Sequence, residues 1–145
     1  MQRDQQGRVI AFSGLSLPQT AHRFELGERE LFTWCAWDTL FLPALLDRPA
    51  HVRSQCHVTG AEVRLTVEPE RIREHHPQTL LVSFPPAAAV STADITGSFC
   101  CHVHFLAGPH AADDWLRDQP ATTAVTLDEA FELGRNVARP LLAAR

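Results

Sequence analysis

No run of apolar residues in this 145-residue chain approaches the roughly 20 that a membrane-spanning helix needs. Charge is equally unconcentrated: 13 Lys and Arg stand against 17 Asp and Glu, for a net charge of -4. Without a basic stripe, nucleic acid is not an expected partner. The polar start, Met1-Gln-Arg-Asp-Gln-Gln-Gly-Arg8, has no apolar segment behind it of the kind a secretory signal carries, so a cytoplasmic address is expected. Gly7, Gly14 and Gly27 stand apart as turn residues, and no glycine cluster offers a phosphate cradle. There is no Gly-x-Ser-x-Gly, no Cys-x-x-Cys and no internal repeat.

What is present suits one folded unit. The chain is 45% hydrophobic, with charged residues spread through it, and is long enough to bury one core. We expect a single domain over residues 1–145, with 1–7 flexible. Arg8 to Gly14 reads as a strand closed by Gly14. His22–Leu26 and Arg29–Phe32 flank Gly27-Glu28 as a hairpin. Thr33 can cap a helix over Trp34–Leu46, kinked at Pro43, where a hydrogen bond to the Thr39 carbonyl is lost. Strands follow at His51–His57, Glu62–Val67 and Thr79–Phe84, with Thr59-Gly60-Ala61 a turn and His75-His76-Pro77 a solvated loop. Ala87 to Gly97 reads as irregular or a short helical turn. Ser98–Leu106 reads as a further strand. Two amphipathic helices close the chain, His110–Asp118 and Leu127 to about Ala144, the second entered through Thr126 or Asp128 and interrupted at Pro140. The fold class is α+β: a mostly antiparallel or mixed sheet packed with three or four helices.

The chemistry lies in the thiols. Four cysteines in a reducing compartment read as free thiols, and vicinal Cys100-Cys101 could bridge each other only in a strained ring. Cys35, in the first turn of the expected helix, would have its pKa lowered by the helix N-terminus; packing between Trp34 and Trp37 is the plainer alternative. Asp38, three residues on, shares a helical face with Cys35. Desolvation and nearby thiolates would raise its pKa and make it a proton donor, unless it faces solvent. On a strand Cys100, His102 and His104 would point one way and Cys101 and Val103 the other. Zinc on Cys100, His102 and His104 is disfavoured, because three ligands at alternate strand positions span too far for one tetrahedral ion. Cys56 reads as packing.

Together these segments resemble the organomercurial (alkylmercury) lyases. The run Phe32-Thr-Trp-Cys-Ala-Trp-Asp-Thr-Leu-Phe-Leu-Pro-Ala44 looks like that family's first catalytic motif, and Ser98-Phe-Cys-Cys-His-Val-His-Phe105 like its second. The likeness extends through Arg48-Pro49-Ala50, Cys56, Thr59-Gly60, Leu65-Thr-Val67, Ala112-Asp-Asp-Trp115 and Glu129-Ala-Phe-Glu-Leu-Gly134. It implies a mixed α/β catalytic core in which Cys35, Asp38 and Cys100 carry the reaction and hold substrate or product mercury. Cys56 would be structural and Cys101 dispensable.

The implied activity is protonolysis of a carbon–mercury bond to R–H and Hg(II), with no cofactor. A mercuric reductase or small thiols would accept the metal, and no membrane or nucleic acid is involved. Two departures stand out. Family members usually carry a helical, winged-helix-like N-terminal region, whereas this chain begins almost at the core. Trp37 also stands where a smaller aliphatic residue is expected, and a bulky indole there could reshape the pocket. A divergent member acting on another substrate, or a non-catalytic thiol protein that binds a soft metal, is the alternative.

Overall fold

The computed structural model describes residues 2–3, 5–12, 15–91, 93–119 and 121–143. Gly14 and Ala144, two of the expected element ends, lie outside the described residues. Eleven antiparallel strands form two sheets among those residues, and four helices accompany them. The strands are β1 (Gln2–Arg3), β2 (Val9–Phe12), β3 (Leu15–Ser16), β4 (His22–Leu26), β5 (Arg29–Thr33), β6 (Ala50–Gln55), β7 (Glu62–Val67), β8 (Ile72–His76), β9 (Leu81–Phe84), β10 (Phe105–Leu106) and β11 (Thr123–Thr126). The helices are α1 (Asp38–Leu46), α2 (Ile95–Ser98), α3 (Pro109–Arg117) and α4 (Leu127–Ala143). The large sheet runs β1-β2-β3-β5-β4-β6-β7-β8, and the small one β10-β9-β11.

Alternation dictates the large sheet. Ala50, Val52 and Ser54 of β6 and Val63, Leu65 and Val67 of β7 are buried, while the residues between them face outward. Their cross-strand pairing, Val52 with Leu65 and Ala50 with Val67, puts one apolar face against the helices. The β4–β5 hairpin turns through Gly27, whose φ of +58° suits a residue without a Cβ. Phe24, Leu40, Val82 and Phe105, all at most 1% exposed, lie in the core between the sheets and α1.

Four expectations need correction. The helix around the first cysteine begins at Asp38, not Trp34, because Thr33 is used as the last residue of β5, paired with both His22 and Leu15. Its hydroxyl bonds the Cys35 carbonyl instead of a helical N–H. Ser98–Leu106 is not one strand. It is the end of α2, a 3₁₀ turn over Cys100–His102, and only then the two-residue β10. His75 and His76 belong to β8, paired with Leu65 and Arg64, and are not loop residues. Helix α4 runs on past Pro140 to Ala143.

Thr126 does enter α4, through reciprocal bonds: its Oγ1 accepts the Glu129 N–H at 3.1 Å, and Glu129 Oε1 accepts the Thr126 N–H at 3.3 Å. Helix α4 lies close against α1. A Cβ on Gly134 would stand 2.9 Å from the Phe41 Cβ and 3.5 Å from the Trp37 Nε1, so only glycine permits this approach. Gly134→Val should therefore destabilise the protein by about 1–3 kcal/mol through overpacking. Urea unfolding measures this directly, and an unchanged midpoint would show that the two helices can separate freely.

Candidate thiol–carboxylate site

Two segments far apart in sequence meet at the centre of the fold. Cys35 lies in the bend between β5 and α1, and Asp38 is the first residue of α1. Cys100 opens the 3₁₀ turn before β10. A backbone bond joins the two segments: the Ala36 N–H donates to the Val103 carbonyl at 3.4 Å. Ser83 of β9 clasps the second segment. Its hydroxyl donates to the His102 carbonyl at 2.9 Å and accepts the His104 N–H at 3.0 Å, and its own N–H donates to the His104 carbonyl at 3.0 Å. The aromatic edges of Trp37 and Phe99, with centroids 5.8 Å apart, add a side-chain link between the residues preceding Asp38 and Cys100.

The result is a buried cluster in which one thiol sulfur from each cysteine and one carboxylate oxygen of Asp38 all lie within 4.8 Å of one another. Cys35 is fully buried, and Asp38 and Cys100 are each 6% exposed. Among the described residues no other group of three His, Cys, Asp or Glu side chains converges in this way. His102 and His104 are not drawn in, so zinc on Cys100, His102 and His104 has no geometry here.

The electrostatics separate the two thiols. Burial, reinforced by the hydrogen bond Cys35 makes to Cys100 and by the Asp38 charge, pushes the Cys35 thiol well above its usual pKa. This reverses the expectation of a lowered value, because Cys35 precedes the helix and is sealed from water. The same hydrogen bond, received by Cys100, lowers the Cys100 pKa. Burial raises Asp38 to about 6, although Asp38 accepts the Cys35 N–H at 3.1 Å. The shared hydrogen bond thus favours the proton on Cys35 and negative charge on Cys100, and Asp38, a carboxylate above about pH 6, is poised to take and return one proton.

With this geometry in place, comparison with known proteins is informative. Residues 15–139 match the alkylmercury lyase family. The chain belongs to that family. An alkylmercury lyase of Staphylococcus epidermidis is 46% identical over 134 residues, covering 92% of this chain and 61% of that protein. One from Streptomyces lividans is 45% identical over 139 residues, covering 96% and 63%. The chain thus spans less than two thirds of these relatives' length. A crystal structure of the mercury-bound form of MerB2 has the same fold, with a TM-score of 0.78 at 24% identity, covering 94% of this chain and 66% of that one.

The remaining cysteines of this family member divide cleanly. All four are free. Cys56 is buried, and its Sγ accepts the Ala107 N–H at 3.3 Å and the Thr59 N–H at 3.5 Å. Burial raises its pKa, but these bonds and one from the Thr59 side chain outweigh that and leave it below the usual thiol value. Cys101 is exposed.

Beside Cys100 lies a cavity of about 340 Å³, lined by Cys100, Cys101, Trp34, Phe105 and the imidazoles of His22, His57 and His104, among others. Cys35 and Asp38 do not line it, and neither does Trp37. The indole of Trp37 turns into the α1–α4 interface, where Nε1 donates to the Ala130 carbonyl at 2.9 Å. It therefore does not reshape this cavity. A larger hollow of about 460 Å³, on the outer face of β6–β8, contains no cysteine.

Sequence reasoning missed the imidazole wall because its members come from β4, the turn after β6 and the stretch before β10. His57 and His104 stack with centroids 3.6 Å apart, and Trp115 stands edge-on to both. Burial lowers His22 and His104 to about 4. Both take up protons in the unfolded chain near pH 6.5 but in the folded one only near 4. They therefore stabilise the fold fully above pH 6.5, and that contribution is lost as pH falls toward 4. Asp38 acts oppositely: its raised value makes the fold less stable as pH rises from about 4 to 6. With two imidazoles against one carboxyl, stability should fall on going from pH 6.5 to 4.5. Urea titrations should show a shallower fall in His22→Gln than in the parent; an identical slope would mean His22 is protonated without cost.

Proposed function

We propose that this chain cleaves carbon–mercury bonds by protonolysis, releasing R–H and retaining Hg(II), with Cys35, Asp38 and Cys100 as the reacting groups. The observation that carries this reading is the convergence of two sulfurs and one carboxylate within 4.8 Å, in a member of the alkylmercury lyase family. Mercury is soft and prefers thiolates. The only one of the three groups that lines the cavity is Cys100, which is also the thiol with the lowered pKa. It therefore attacks R–Hg–X first and displaces X⁻.

The second step brings in Cys35. Asp38, a carboxylate at neutral pH, takes the Cys35 proton, and the freed thiolate adds to mercury. Two sulfur donors push electron density onto the mercury-bound carbon. Asp38 then delivers its proton to that carbon as the carbon keeps the carbon–mercury bonding pair. The bond breaks without redox change, R–H leaves, and Hg(II) stays between Cys35 and Cys100. One group thus serves as base and then acid, and its value near 6 suits both tasks at neutral pH.

Small thiols, or a mercuric reductase, would take the metal. The organic group would occupy the 340 Å³ cavity, ample for an aryl group given that an apolar cavity of about 150 Å³ holds benzene. Incubation with phenylmercury and excess thiol, followed by gas chromatography, tests the activity. Benzene should accumulate beyond one equivalent of protein; stoichiometric mercury uptake with no benzene would identify a binding protein instead.

A further inference from the structure

We propose that product Hg(II) leaves through Cys101: in the cavity beside the buried site, the Cys101 sulfur displaces Cys35 from the metal before any outside thiol takes it. The inference rests on the lyase reading above and adds a route for release. Cys35 is fully buried and Asp38 nearly so, and neither lines the cavity. A metal held between Cys35 and Cys100 is therefore approached from the cavity on the Cys100 side. Cys101 is the next residue, is exposed, and lines that same cavity. An acceptor arriving through the cavity therefore meets a wall that carries Cys101.

The scaffold holds both sulfurs on a fixed backbone. The 3₁₀ turn is closed by His102 N–H to the Phe99 carbonyl at 2.9 Å, and Ser83 clasps the residues just after it. Among the described residues, the other cavity walls include no Lys, Arg, Asp or Glu. The donors on offer there are sulfur, imidazole and the neutral side chains of Thr20 and Gln55, and of these mercury favours sulfur.

The exchange balances. A mercury–sulfur bond to Cys101 forms and that to Cys35 breaks. The proton lost by Cys101 goes to cavity water, and one returned through Asp38 re-forms the Cys35 thiol. Oxidation states do not change, as in any thiolate exchange. The metal, now on Cys100 and Cys101, is open to an external thiol.

The test uses Cys101→Ser in the full chain, loaded either with one equivalent of HgCl2 or by a single turnover of phenylmercury. Release to a micromolar chromogenic thiol is followed by stopped flow. Release should slow by about tenfold or more relative to the parent. The single-turnover yield of benzene should hold, and the gap should close at millimolar thiol, where outside sulfur replaces Cys101. Equal release rates from the two proteins would overturn the proposal, as would a parallel loss of benzene, which would place Cys101 in the cleavage step. The HgCl2 arm needs no cleavage, so a failure of the lyase reading (no benzene even from the parent) is distinguishable from a failure of the release route.

Discussion

Asp38→Asn should bind phenylmercury stoichiometrically and release benzene about 10²–10⁴ times more slowly than the parent, the usual worth of a positioned general acid–base. The substitution is close to isosteric, and the amide oxygen can still accept the Cys35 N–H that Asp38 Oδ2 accepts at 3.1 Å. Local structure therefore survives while the proton carrier is lost. Two steps suffer together. Nothing takes the proton from Cys35, whose thiol is held well above its usual pKa by burial, and nothing returns a proton to carbon. Mass spectrometry of the loaded protein and gas chromatography of the headspace separate binding from cleavage. A variant that turned over within about threefold of the parent would remove Asp38 from the chemistry.

Cys100→Ala should abolish turnover, by about 10³-fold or more, and Cys35→Ala should do the same. The reasons differ. Cys100 is the thiol with the lowered pKa and the one the cavity reaches, so its loss removes capture of the substrate. Cys35 is sealed in the core, so its loss leaves the organomercurial bound through one sulfur with its carbon–mercury bond intact. Groups that act as a unit are not additive: the double variant should be no worse than either single one. In a Cys101→Ser background, which removes the exposed thiol of the same cavity, stoichiometric uptake by Cys35→Ala, but not by Cys100→Ala, would establish the order of attack. The reverse pattern would mean that substrate enters from the buried side.

Much of this was legible in the residues, though not its assembly. The β4–β5 hairpin, β7, α3 and α4 follow from alternation, a glycine turn and helical spacing. Asp38 was conspicuous as a carboxylate among apolar neighbours, and its raised pKa is as anticipated, chiefly by burial and not by thiolate repulsion. The helix start was misplaced because residue type cannot show that Thr33 is already held by two strand partners. The alternating Cys-His-Val-His imitates a strand, yet Ser83 holds that backbone from a neighbouring strand 19 residues back, a contact no local pattern displays. β8 escaped notice because Arg73, Glu74 and His76 leave it without an apolar face. That Cys100 meets Cys35 was suggested by family resemblance and not by spacing, since 65 residues and two sheets separate them.

A single turnover of phenylmercury with excess protein in D2O, analysed by gas chromatography and mass spectrometry, probes the central assignment most directly. With the protein first equilibrated in D2O until Asp38 and Cys35 carry deuterium, the account predicts singly deuterated benzene, one per phenylmercury consumed, with Hg(II) left on the protein. Stoichiometric binding with no benzene, or benzene formed equally fast by Asp38→Asn, would contradict it.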